Sequence, residues 1–151
     1  MDNPLFYKNF IDGIYNHLGE SSQYTTDLEP LVDALNFVDS NIDHIRFIDL
    51  GCGIGLPLLA VLTIFGKDRT DLLSGVDIDP SFIEFANSII PPIGISDKKV
   101  KVDISVGDVR SGDTLNKVKG HNVIFSYMPT WRDKDNSVYE MYECLNELID
   151  K

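Results

Sequence analysis

The chain has 151 residues, of which 43% are hydrophobic and 25% charged, and these values fit one globular domain with an adequate core. Acidic residues outnumber basic residues by 24 to 13, and a net charge of −11 disfavours nucleic acid as a partner. No apolar run reaches the roughly 18 residues of a membrane-spanning helix, and the N-terminus lacks the basic segment of a signal peptide. The two cysteines lie in a loop and a predicted terminal helix, which favours reduced thiols in the cytoplasm.

Two helices are predicted before the first strand. Apolar residues at helical spacing predict the first helix over residues 4–18, and Gly19 ends it. The second helix is predicted over about residues 28–39. We expect residues 1–44 to form an N-terminal helical cap and residues 45–151 to form the main domain, as parts of one compact unit.

From residue 45 onward, strand patterns alternate with helix patterns. Strands are predicted over residues 45–50, 72–78, 100–106 and 122–127. Helices are predicted over residues 56–65, 80–90, 114–118 and 136–149, with Gly66 and Pro91-Pro92 as stop signals for the first two. This alternation predicts a parallel sheet with right-handed crossovers. In such a sheet, a ligand binds beyond the carboxyl ends of the strands.

The turn from the first strand into the following helix carries the most informative motif. An apolar run ends in Asp49, glycines follow at positions 51, 53 and 55, and a helix pattern starts at Leu56. Glycines allow the backbone to pass close to a ligand, so that amides at the helix start can approach a bound group. The Asp49 carboxylate can accept hydrogen bonds from hydroxyl groups or from an amine. The alternative is a glycine-rich turn that holds no ligand.

The glycine spacing separates two classes of ligand. The dinucleotide fingerprint is Gly-x-Gly-x-x-Gly, but Leu56 stands here in place of its third glycine. The observed pattern, Asp-x-Gly-x-Gly-x-Gly, resembles motif I of the class I S-adenosylmethionine (SAM)-dependent methyltransferases. The resemblance implies a Rossmann-like parallel sheet of strand order 3-2-1-4, SAM as the cofactor, and transfer of its methyl group as the reaction. In that reading, Asp49 lies beside the ammonium end of the methionine moiety.

The resemblance covers roughly residues 45–150, which correspond to the cofactor-binding half of the family fold, so the main domain over residues 45–151 is the expected SAM-binding domain. That fold has seven strands, and strands five to seven have no counterpart in this sequence. We therefore expect a natural minimal form of the fold or a truncated one. An open strand edge would then be covered by a helix, by a partner protein or by a second copy of the chain.

Further acids follow the second and third predicted strands. By the resemblance, Asp77 is the motif II acid that binds both ribose hydroxyls, with Asp79 as the alternative. Asp79 is otherwise the N-cap of the helix that Pro80 opens. Asp108 resembles the motif III acid that accepts from the adenine exocyclic amine, and the Val109 amide is expected at a ring nitrogen. Three acids in this order favour an adenosine with a charged amino-acid tail over NAD.

Neighbouring side chains complete the expected cofactor site. Ile78 and Phe82 are either apolar contacts to adenine or ordinary core residues. Tyr24 and Thr25 resemble a segment of small protein-lysine methyltransferases that closes over the methionine carboxylate, or they belong to an ordinary polar loop. The expected cofactor-binding residues are Asp49, Gly51, Cys52, Gly53, Gly55, Leu56, Asp77, Ile78, Phe82, Asp108, Val109, Tyr127, Tyr24 and Thr25.

The segment after strand four is where the methyl acceptor meets the cofactor in this family. Its sequence, Ser-Tyr-Met-Pro from residue 126, lacks the Asn or Asp of the base-amine methylating enzymes, which disfavours methylation of DNA amines. Tyr127 and Trp131 are candidate acceptor-pocket residues, because aromatic faces attract cations. Packing at the rim of the site is the alternative. The three histidines show no metal-ligand spacing, so no metal is expected.

The acceptor itself is not named by any residue. The methyl donor is already activated, so alignment in a dry site is the protein's main task and a general base is needed only for a protonated acceptor. The acidic surface favours a protein or small-molecule acceptor. The alternative function is a non-catalytic module that binds SAM or S-adenosylhomocysteine, or one part of a methyltransferase that a partner completes.

Overall fold

A computed structural model of the chain describes residues 28–94 and 100–127. The helices are α1 (Leu28–Asp39), α2 (Leu56–Arg69), α3 (Pro80–Gly94) and α4 (Gly112–Val118). The strands are β1 (Ile45–Leu50), β2 (Thr70–Asp77), β3 (Lys101–Val106) and β4 (Val123–Phe125). The helices predicted over residues 4–18 and 136–149 lie outside the described residues.

The four described strands form one parallel sheet in the order β3-β2-β1-β4. The predicted α/β class and strand order are therefore confirmed. In the register of the sheet, Asp49 lies opposite Gly75 and Asp77 lies opposite Val106. Because all four strands run in the same direction, their carboxyl ends and the loops that follow them meet at one edge of the sheet.

Both faces of β1 are buried, as expected for a central parallel strand. Phe47 belongs to the larger hydrophobic cluster, together with residues of α2 and α3, whereas Ile48 packs in a second cluster with Val118 of α4. Leu31 and Leu35 of α1 join the larger cluster, so α1 packs on the same core as the sheet. Among the described residues, no helix has the length and apolar character required to cross a membrane.

Two predicted helix ends differ from the structure. Gly66 does leave helical geometry, with φ 68° and ψ 171°, but a further helical stretch follows it up to Arg69. The prediction that Pro91-Pro92 ends α3 was wrong, because the helix continues to Gly94. Proline has a fixed φ close to the helical value, so near a helix end it removes backbone donors without preventing the helical path.

Candidate functional site

The glycine loop joins β1 to α2 through three residues with left-handed backbone angles. The φ values of Gly51, Gly53 and Gly55 are 87°, 50° and 86°, a region that side chains with a Cβ rarely adopt. At Gly55 there is also no room, since a Cβ would lie 2.5 Å from Ile90 Cδ1 in α3. The loop therefore needs glycine for its backbone path and for the close approach of α3.

Hydrogen bonds hold this loop against the end of β2. The amides of Gly51 and Cys52 both donate to the Val76 carbonyl, at 2.8 and 3.0 Å. The Gly53 amide donates to Asp77 Oδ2 at 2.8 Å. Gly51, Cys52 and Gly53 are predicted cofactor-binding residues, and their backbone amides donate within the protein. They fix the position of the loop relative to the second strand.

Asp77 connects the glycine loop to the start of α3. While its Oδ2 accepts from Gly53, its Oδ1 accepts from the Asp79 amide at 2.9 Å. Asp79 accepts from the amide and the hydroxyl of Ser81, at 2.9 and 2.7 Å, which is the geometry of an N-cap. These two hydrogen bonds lower the pKa of Asp79. Asp79 therefore caps the start of α3, whereas Asp77 accepts the Gly53 amide of the glycine loop.

Asp49 is buried at the carboxyl end of β1. The residue is 1% exposed, and among the described residues no donor reaches Oδ1 or Oδ2. Burial, and secondarily the charge of Asp77, raise the pKa of Asp49 well above its ordinary value. Since a buried polar group without a partner costs about 1–3 kcal/mol, this carboxyl is a position at which a bound donor or cation would be stabilised.

The Cys52 thiol shares this buried environment. Burial, followed by the charges of Asp49 and Asp77, raises its pKa, so the neutral thiol is the stable form. A Cβ at position 75 would lie 2.9 Å from Cys52 Sγ, which explains the glycine in β2 at that point. Cys52 therefore fills space between the loop and the sheet rather than acting as a nucleophile.

Three large apolar side chains are exposed where the strands end. Ile78 follows β2 and is 67% exposed, Val106 ends β3 at 52%, and Tyr127 follows β4 at 42%. Phe82, in contrast, packs against the main core, in agreement with its interpretation as a core residue. Val106 was not among the site residues predicted from the sequence. The sequence feature that marks it is an apolar residue at the last position of a strand, directly before Gly107-Asp108.

The loop after β3 places Asp108 in a local ion pair. Asp108 Oδ1 accepts from the Arg110 amide at 2.9 Å and from Arg110 Nε at 3.0 Å, while Oδ2 accepts from the terminal guanidinium nitrogen at 2.8 Å. The hydrogen bonds from the Arg110 side chain, then from its amide, lower the pKa of Asp108. The Val109 side chain is buried with Ile48 and Leu50. The Gly107 amide donates to the Asp77 carbonyl at 2.9 Å, which joins this loop to β2.

The end of β4 lies beside the end of β1. Ser126 Oγ donates to the Leu50 carbonyl at 3.2 Å, and Tyr127 follows directly.

Tyr24, Thr25 and Trp131 lie outside the described residues. Within residues 28–94 and 100–127, His, Cys, Asp and Glu side chains form no group of three that could hold a metal ion.

No protein-family model matches the chain, and no curated protein matches it either. Solved structures, in contrast, do match the chain. The YcgJ protein of Bacillus subtilis is 18% identical with a TM-score of 0.54, and the match covers 76% of this chain and 44% of that one. Precorrin 8w decarboxylase of Methanobacterium thermoautotrophicum is 14% identical with a TM-score of 0.54, over 82% of this chain and 58% of that one.

A SAM-dependent methyltransferase of Agrobacterium tumefaciens is 14% identical with a TM-score of 0.43, over 65% of this chain and 29% of that one. The likeness to the first two structures shows that the chain shares their α/β fold. The chain spans about half the length of those two proteins.

Proposed function

We propose that the chain binds SAM and transfers its methyl group to a protein or small-molecule acceptor. The observation that carries the proposal is the 2.8 Å hydrogen bond from the Gly53 amide to Asp77 Oδ2. It brings into direct contact the glycine loop after β1 and the acid that ends β2, two motifs that the sequence predicts to bind one ligand. The shared α/β fold supports the proposal, because ligands of such sheets bind at the carboxyl ends of the strands.

The buried Asp49 carboxyl fits the cationic end of SAM. Within the part of the chain that the structure describes, its two oxygens have no hydrogen-bond partner, and the residue is 1% exposed. The methionine moiety carries an ammonium group, which would donate to these oxygens and offset the cost of their burial. A pyrophosphate would meet an acid there, which argues against a dinucleotide.

Asp77 retains capacity for the ribose. A carboxylate offers about four acceptor positions, and the amides of Gly53 and Asp79 use one on each oxygen. Two positions remain for two adjacent hydroxyl groups. Ile78 and Val106, both exposed at the carboxyl ends of the neighbouring strands β2 and β3, provide apolar surface for a purine ring.

SAM, when bound, supplies an already activated methyl group. The chain's own residues bind and orient the two reactants and exclude water. Tyr127, which follows β4 and is partly exposed, would face the acceptor and offer its aromatic ring to a cationic group. No step requires a proton acceptor when the acceptor molecule arrives unprotonated.

A second candidate is a module that binds SAM or S-adenosylhomocysteine without catalysis, or that a partner completes. It is favoured by the chemistry of the site, because Asp49, Asp77 and the glycine loop offer groups that hold a ligand and none that takes part in a transfer step. Incubation with methyl-labelled SAM and a cell extract, separated into protein, nucleic acid and small molecules, distinguishes the two. Label in protein or small molecules supports the enzyme, whereas SAM binding without transfer supports the module.

Titration calorimetry with SAM tests the binding step itself. We expect the intact chain to bind SAM and not NAD, and Asp77→Asn to weaken SAM binding at least about tenfold, since one charged acceptor is lost. Asp71→Asn is the matched control, because it removes the same charge from an exposed position at the opposite end of β2. Absence of SAM binding by the intact chain would overturn the proposal.

A further inference from the structure

The ion pair between Asp108 and Arg110 fixes the orientation of a carboxylate at the carboxyl end of β3. The Arg110 guanidinium contacts both carboxylate oxygens, at 3.0 and 2.8 Å, and its backbone amide adds a third bond at 2.9 Å. The two side chains are 37% and 39% exposed, so the pair lies at the surface of the proposed site and not in the core. A fork of two parallel bonds restricts the geometry more than a single contact does.

These three bonds leave a limited number of acceptor positions. Oδ1 receives two donors and Oδ2 receives one. Of about four positions on a carboxylate, one remains on Oδ2 with respect to the described residues. A ligand donor can therefore approach Asp108 at one oxygen, without displacing Arg110.

The surrounding loop holds this acceptor next to the residues proposed for the nucleoside. The Ser111 amide donates to the Asp108 carbonyl at 3.0 Å, and the Gly107 amide donates to the Asp77 carbonyl at 2.9 Å. Val106 lies opposite Asp77 in the sheet and is exposed. The position of Asp108 is thus coupled to that of the proposed ribose ligand and of the apolar surface for the base.

We propose that Arg110 is a positioning residue that makes this site selective for a purine with a 6-amino group over one with a 6-oxo group. The inference rests on the proposed function, since it takes an adenosyl ligand as the occupant. An aspartate that is partly exposed is ionised near neutral pH and can only accept hydrogen bonds, and the two bonds from the Arg110 side chain fix the direction of its oxygens. An amino group donates to the remaining position on Oδ2, whereas a 6-oxo oxygen would face a carboxylate oxygen with no proton between them.

The test is titration calorimetry with two stable ligands, S-adenosylhomocysteine and its deaminated analogue S-inosylhomocysteine. The intact chain should bind the adenosyl ligand at least about tenfold more tightly. In Arg110→Gln this ratio should fall to about threefold or less, and Arg110→Lys, which restores the charge without the fork, should give an intermediate ratio. The control Arg46→Gln removes the same charge from an exposed position in β1 and should leave the ratio unchanged.

Several outcomes would overturn the inference. If Arg110→Gln keeps the ratio of the intact chain, Arg110 does not determine base selectivity. If that variant binds S-adenosylhomocysteine more tightly, Arg110 competes with the ligand for Asp108. Both results leave the proposed function standing. Failure of the intact chain to bind either ligand is different, because it overturns the proposed function and this inference with it. Thermal unfolding of each variant confirms that the chain tested is folded.

Discussion

Asp49 and Asp77 lie at the carboxyl ends of adjacent parallel strands but in different environments. Asp77 accepts two backbone amides, from Gly53 and Asp79, whereas Asp49 is buried and accepts from none of the described residues. Burial, followed by the charge of Asp77, raises the pKa of Asp49. One carboxylate is therefore stabilised by backbone amides, and the other has no donor within residues 28–94 and 100–127.

Replacement of Asp49 by Asn should change how stability depends on pH. Because the pKa of Asp49 is raised in the folded state, the folded chain holds this proton at pH values where the unfolded chain has lost it. Its contribution to stability is fully present below the ordinary pKa, about 4, and is lost as pH rises towards the folded value. Within that window the loss approaches about 1.4 kcal/mol per pH unit.

Urea unfolding at a series of pH values from 5 to 8 measures this effect. The free energy of unfolding should fall with pH less steeply for Asp49→Asn than for the intact chain, since the amide cannot ionise. Asp33→Asn is the control, because it removes the same charge from an exposed position in α1. Equal slopes for the intact chain and Asp49→Asn would contradict the burial of an ionisable carboxyl there.

Binding of SAM should release a proton from Asp49. The ammonium group of the ligand stabilises the ionised carboxylate, so the pKa of Asp49 falls when the site is filled. Titration calorimetry in buffers with different ionisation enthalpies counts the protons released. We expect the intact chain to release more protons on binding SAM than Asp49→Asn, which has no carboxyl at this position. An equal proton count for both chains would place the ammonium group elsewhere.

Gly55→Ala should destabilise the chain through two separable effects. A Cβ at this position meets Ile90 Cδ1 at 2.5 Å, and the residue has φ 86°. We expect a loss of about 1–3 kcal/mol in the free energy of unfolding. Gly53→Ala has the backbone effect alone, because its φ is 50° and no heavy atom lies within 4 Å of the added Cβ. It should therefore cost less than Gly55→Ala.

Gly112→Ala completes this comparison. The position lies in the first turn of α4, has open space around a Cβ and has no left-handed φ. We expect stability to be unchanged or to rise by up to about 1 kcal/mol, because alanine restricts the unfolded chain. Urea unfolding of the three variants measures the series. An equal loss for Gly53→Ala and Gly55→Ala would show that the contact with Ile90 relaxes freely.

The sequence predicted the sheet well because its signals are local. The apolar run before Asp49 and the glycines after it define β1 and its turn within about ten residues, and the structure gives β1 the predicted limits, Ile45–Leu50. The burial of Asp49 could not be predicted, since it depends on the Asp77 and Cys52 groups that the fold brings near. The Asp108 ion pair was missed for another reason. Arg110 is only two residues away, but its side-chain direction is set by the turn.

The contact between Ser74 and His121 joins residues 47 positions apart and allows one more prediction. His121 Nδ1 lies 2.8 Å from the Lys117 carbonyl, which can only accept, so Nδ1 carries the proton. His121 Nε2, at 2.8 Å from Ser74 Oγ, then accepts from the buried Ser74 hydroxyl. Burial disfavours the charged ring and therefore lowers the pKa of His121, in agreement with this neutral form.

Because the pKa of His121 is lowered on folding, its contribution to stability is present above about pH 6.5 and is lost as pH falls through the folded value. Ser74→Ala should lower the free energy of unfolding by about 0.5–1.5 kcal/mol at pH 7.5, since it removes one hydrogen bond. The loss should shrink as the pH falls through the folded pKa of His121, because the protonated ring no longer accepts. Urea unfolding at pH 7.5 and at the lowest pH at which the chain is folded measures the difference, with Thr63→Ala, an exposed hydroxyl in α2, as the pH-independent control. A Ser74→Ala loss of the same size at both pH values would contradict this assignment of the proton.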